Sequence, residues 1–218
     1  SYLARFIRAL NLPNTEDVMQ KPKVFISHIK EEKVLAEAIK EKIQSDFLGM
    51  IDVFVSSDQV SISVGNKWLE EVDEALRNAQ VELILCSQDS VGRPWINFEA
   101  GAGWIKGIPI VPICHTNMRL VDLPIPLNML QGITASDTHG WEKVYRLLSN
   151  KLGSQIPNLE FSALIAKVTD FEHEYGLVRE VKESVLSLIK LLPDLHQVFK
   201  PSPAHAMISG DVPDIQLD

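Results

Sequence analysis

The sequence predicts an α/β fold: a doubly wound, five-stranded parallel sheet with helical extensions at its N-terminal and C-terminal ends. Three observations carry that expectation. Between residues 21 and 153, short β-rich apolar runs alternate with helical stretches of about 10–15 residues, the pattern of right-handed βαβ crossovers. The runs are apolar almost throughout, as strands buried on both faces are. The composition, 45% hydrophobic and 23% charged over 218 residues, is that of a globular chain able to build its own core.

In order along the chain, 2–10 is a short amphipathic helix candidate with Leu3, Phe6, Ile7 and Leu10 on one face. A polar break over 11–20 contains Pro13. Val24-Phe25-Ile26 reads as the first strand, and Val34, Leu35, Ala38, Ile39 and Ile43 then recur at helical spacing. Strands are expected at 52–55, 81–86 and 108–113, with a weaker one at 132–134. Helices are expected at 68–79, 94–104 and 141–152. Pro94 suits the first position of its helix, where a missing N–H costs nothing. After Gly153, apolar residues from Phe161 to Leu192 recur every three or four positions. They make one long helix, or a pair bent near Gly176, ended by Pro193 and packed on the sheet or on another copy of itself. The organisation read from this is an N-terminal extension (1–20), a sheet domain (21–153), a helical extension (154–199) and an unpacked tail (200–218).

The 21 basic and 29 acidic side chains give a net charge of -8, which argues against direct nucleic-acid binding and against an anionic membrane surface. No apolar run approaches the ~20 residues that span a bilayer. Residues 1–10 carry Arg5 and Arg8 inside their apolar pattern, unlike a secretory leader. Cys86 and Cys114, without CxxC spacing, read as reduced core thiols of a cytoplasmic protein.

In doubly wound sheets, ligands bind beyond the carboxyl ends of the strands, so the loops at 27–33, 56–67 and 87–94 are the places to look. Most catalytic signatures are missing. Gly101, Gly103 and Gly107 lie inside a helix pattern, and the third comes one residue late for a dinucleotide fingerprint. There is no P-loop and no GxSxG elbow, and the six histidines show no metal-ligand spacing. Each histidine reads as a surface or hydrogen-bonded core residue.

The stretch from Trp95 to Trp104 stands out. It places Glu99 early in a helix at the carboxyl end of the third strand, beside Trp95, Phe98 and Trp104. Gly101 and Gly103 each cost about 1 kcal/mol in a helix interior, so a close approach of backbone or ligand is expected at both. Alternatively, Trp95 and Phe98 are core residues and Glu99 complements the helix dipole.

These residues resemble a family. Lys23-Val24-Phe25-Ile26-Ser27-His28 looks like the first box of Toll/interleukin-1 receptor (TIR) domains. Val53-Phe54-Val55 followed by Ser61 to Trp68 resembles their second strand and long BB loop. Trp95 to Glu99 matches the WxxxE that carries the catalytic glutamate of NAD-cleaving TIR domains. The three matches fall in family order over about 21–153, and their wording resembles the bacterial NAD-cleaving type.

The resemblance implies a flavodoxin-like sheet and an NAD⁺ glycohydrolase that releases nicotinamide and gives ADP-ribose or a cyclic isomer. NAD⁺ would be substrate, with no cofactor and no metal. It implies Glu99 as the catalytic residue, and Phe25, Ser27, His28, Lys30, Trp68 and Trp95 as substrate-binding residues. Trp68 would stack on nicotinamide or else begin the core face of its helix. Lys30 would face the phosphates or else solvent. His28 stands where the family often has Tyr, and Ile29 where some enzymes carry Arg. It further implies activation by TIR–TIR self-association, an activating ligand or sensor partner, and a role in bacterial antiphage defence. Two other readings stay open: a non-catalytic TIR scaffold, and another nucleoside-processing enzyme using Glu99 as a nucleophile.

Overall fold

The computed structural model describes residues 21–58 and 67–191. The helix candidate at 2–10, most of the BB-loop segment and the tail lie outside those residues. Five strands form one parallel sheet: β1 (Lys23–Ile29), β2 (Asp52–Asp58), β3 (Ala79–Cys86), β4 (Ile110–Cys114) and β5 (Ile133–Thr134). Their order is β2-β1-β3-β4-β5, the flavodoxin-like arrangement. The crossover helices are α1 (Lys33–Asp46), α2 (Lys67–Asn78) and α3 (Pro94–Lys106); two short 3-10 turns lead from β4 to β5, and α4 (Thr138–Leu152) and α5 (Ser162–Leu191) follow the last strand. The expected fold is therefore the observed one, with strand four beginning two residues later and the helix after β5 three residues earlier than the periodicity suggests. Asp137 explains the earlier start, because its side chain accepts the His139 backbone N–H and caps α4.

Alternation along the strands divides the core between two faces. Val24 and Ile26 of β1, and Val81, Leu83 and Leu85 of β3, pack with α1, α4 and the first half of α5. Phe25 and Ile29, with Ile84 and Cys86, turn to the opposite face, under α2 and α3. Both cysteines are buried free thiols, with burial raising the Cys114 thiol to about 11.

Of the residues after Gly153, Ser162–Leu191 form one unbroken helix through Gly176, not a bent pair. Its first half completes the sheet's core: Phe161, Leu164, Val168 and Phe171 are buried beside Trp141 and Tyr145. At the carboxyl ends of the strands it is pinned by polar contacts. Glu172 accepts the Thr116 N–H at 2.9 Å, and the Tyr175 hydroxyl donates to Asp89 at 3.0 Å. No described helix is long and apolar enough to cross a membrane.

The division of labour along α5 is measurable. Leu164→Ala should cost about 2–4 kcal/mol in denaturant unfolding, through lost burial and a residual cavity. Val178→Ala, on the exposed half, should stay within about 0.5 kcal/mol.

Candidate active site

Four positions of α3, namely Ile96, Glu99, Ala100 and Gly103, are buried, and their spacing is the stripe a helix turns toward a sheet. A carboxylate on such a stripe is costly unless hydrogen-bonded. Glu99 meets that condition at the carboxyl pole. Ser27 donates its hydroxyl to Oε2, and Ser56 donates to Oε1 at 2.8 Å. The two serines are register partners at the ends of β1 and β2, on the sheet face that α3 covers. All three residues are buried.

A second carboxyl lies deeper on the same face. Glu82 pairs in register with Phe25, two residues below Ser27, and is fully buried. Among the described residues, neither of its oxygens has a hydrogen-bond partner. Desolvation and the nearby Glu99 charge push its pKa up to about 9, so it holds its proton at neutral pH. Gly103 makes room for it: a Cβ there would sit 2.0 Å from Glu82 Oε2. The close approach expected at Gly103 is thus a side chain from β3. No such approach exists at Gly101, where an added Cβ would meet nothing within 4 Å, because Gly101 lies off the core-facing stripe.

The other expected site residues divide. Phe25 is wholly buried and stacked on Phe54 at 5.6 Å, so it is a floor beneath the site rather than a wall open to ligand. Trp95 is half-buried, packs on the Phe25–Val72 cluster and stacks on Phe98 at 5.4 Å. Trp68 falls in the first turn of α2, next in the chain after the β2–α2 connection, and its side chain lies outside the described residues. Lys30 is exposed on the turn between β1 and α1, with no described contact to Glu99.

His28 faces the other way. Strand alternation sends it to the side opposite Ser27, where burial lowers its pKa and its Nδ1 donates to the Ile29 carbonyl at 2.5 Å. Its charged neighbours there are Glu32, Glu37 and Lys33.

A separate buried network occupies the carboxyl ends of β1, β3 and β4. Glu32 accepts from the Ile29 N–H at 3.1 Å, from Ser87 Oγ at 2.7 Å and from His115 Nε2 at 3.0 Å. His115 is thus a hydrogen-bonded core histidine, edge-on to Phe171 and Tyr175 of α5. A cleft of about 870 Å³ beside β4 and β5, lined by Ile110, Leu120, Gly132 and Lys143 among others, holds none of the expected site residues.

A glutamate carried by a WxxxE helix to the carboxyl pole of a 2-1-3-4-5 sheet is the arrangement that the motif order led us to expect, and a family model described as "TIR domain" matches residues 24–148, more than half of the chain. The chain belongs to the TIR domain family. No curated protein matches it.

Within this TIR domain, motif reading finds Glu99, Ser27 and Trp95 but not Ser56, Glu82, Gly103's partner or the Glu32–His115 network. Ser56 had a usable signal, since it opens the 56–67 loop, one of the places expected to hold a ligand. Glu82 had a weaker one, as the lone charge in the run from Val81 to Cys86.

Two outcomes test the buried pair. Glu82 ionises near its ordinary value of 4.5 when unfolded and near 9 when folded. Between those values the folded state binds the extra proton, so stability falls as pH rises. Glu82→Gln should remove that slope, so that the variant gains about 3 kcal/mol on the wild type between pH 4.5 and pH 7, read by urea unfolding. Gly103→Ala should cost about 1–3 kcal/mol through the clash, yet stabilise by up to about 1 kcal/mol in a Glu82→Ala background. A double-mutant cycle reads the coupling.

Proposed function

We propose that this TIR domain is an NAD⁺ nucleosidase that cleaves the nicotinamide–ribose bond, with Glu99 as the catalytic residue. The observation that carries the reading is the seating of Glu99. Two hydroxyls donate to its oxygens, an arrangement that suits the anion, while the neighbouring Glu82 holds a proton. One negative charge is thereby concentrated at one place on the carboxyl pole.

That is what this bond needs. The leaving group is a pyridinium nitrogen, which takes the bonding electron pair and departs as neutral nicotinamide. No general acid is required, unlike an ordinary glycoside with its paired carboxylates. Positive charge develops on C1′ and the ring oxygen, and a fixed carboxylate beside the ribose stabilises it. Water then adds to C1′ and loses a proton to give ADP-ribose; attack by an adenine nitrogen gives a cyclic isomer. Ser27 and Ser56 position the carboxylate, and Trp95, four residues before it on α3, lies beside it.

Glu99 is covered in the single chain. Ribose reaches it only when that cover gives way, which suits an enzyme switched on by TIR–TIR assembly in response to a signal, as in antiphage defence. The same burial favours a second reading. A glutamate whose oxygens are both occupied by serines also serves as a purely structural tie between α3, β1 and β2, in a TIR scaffold that assembles without turnover.

Nicotinamide release from NAD⁺ separates the two. Assembled wild-type protein should turn over, and Glu99→Gln should lose at least about 10²-fold in kcat with unchanged assembly. Ser56→Ala should fall between them. Equal rates from wild type and Glu99→Gln would remove the catalytic role, and assembly without any turnover would establish the scaffold.

A further inference from the structure

The first half of α5 is core, but from Leu177 to Lys190 no residue of the helix is buried. This half nevertheless exposes several apolar side chains, Leu177 and Leu186 among them, and four of the others fall on one line. Val178, Val181, Val185 and Leu188 are 69%, 62%, 47% and 55% exposed, and follow one another at intervals of three, four and three residues. That spacing is the seam of a coiled coil, which keeps each side chain facing a neighbouring helix. We propose that this seam pairs with the same seam of a second copy, joining two chains through α5 across a two-fold axis.

Three features favour a second copy as the occupant. The seam is self-complementary: paired with itself in either direction, every layer brings Val or Leu against Val or Leu. The charge is also right for self-pairing. The whole chain carries -8, so like copies repel, but along 177–191 Arg179, Lys182 and Lys190 face only Glu180 and Glu183. This is electrostatically balanced ground on an acidic molecule. Placement is the third. α5 runs past the carboxyl ends of the strands, where Tyr175 meets Asp89 and Ser87, before its exposed half begins. β1 begins at Lys23, at the opposite, amino pole. A second copy held by this half of α5 would therefore stand at the pole where Glu99 lies, whether or not Glu99 is catalytic.

Four side chains are fewer than the ~800 Å² per partner of a standard interface supplies, so the dimer is concentration-dependent. Sedimentation equilibrium of the full chain over a concentration series tests it. Wild type should pass from monomer to dimer mass. Val181→Glu/Val185→Glu and Val181→Lys/Val185→Lys should each weaken self-association at least about tenfold, because like charges then face each other across the seam. An equimolar mixture of the two variants should restore the dimer. The substituted positions are exposed, so circular dichroism should match wild type in every case. A wild type that stays monomeric throughout would overturn the proposal. So would variants that dimerise as well as wild type, which places the contact on another surface. A wild type that dimerises only after residues 1–20 are deleted would show that the chain's own N-terminal segment covers the seam, and would overturn it equally.

Discussion

Two carboxyl groups are buried against one face of the sheet under a single helix, and their side chains are near enough for each to feel the other's charge. A pair like this does not ionise twice in so dry a place. Glu82, with no donor to either oxygen among the described residues, keeps its proton at neutral pH, whereas Glu99 has a serine hydroxyl on each oxygen. Much of the local architecture follows from seating that pair. The glycine at 103 opens the space Glu82 fills, and the serines at the ends of β1 and β2 stand in register where Glu99 needs them. α3 meets the sheet through Ile96 and Ala100, and the Glu99–serine hydrogen bonds tie it to β1 and β2.

The strands and crossovers were legible because each signal is local: an apolar run, a helical period, a Pro at a helix start. Glu99 was legible for a related reason, since a WxxxE helix following the third strand places its glutamate at the carboxyl pole whatever the details. What consecutive letters could not convey is which way a strand residue faces. Ser27 and His28 are neighbours in a motif, yet alternation sends one to Glu99 and the other to α1. The Glu82–Gly103 fit and the Glu32–Ser87–His115 network were invisible for a different reason. Their members lie 21 to 83 residues apart and are joined only by strand order.

α5 connects the two poles of the molecule. Its first half seals the core from the amino pole upward, and Glu172 and Tyr175 fasten it to the loops after β4 and β3. The β3 loop, through Asp89, leads into α3 and so to Glu99. A helix tied at that point and left apolar beyond it links whatever it binds to the loop that positions the acidic pair.

The assignment of the retained proton to Glu82 is tested most directly by isotope-edited infrared spectroscopy of the glutamate-labelled protein at neutral pH. The account predicts a protonated-carboxyl band in the wild type that survives Glu99→Gln and vanishes in Glu82→Gln. A band that follows Glu99 instead, or no protonated glutamate at all, would contradict it.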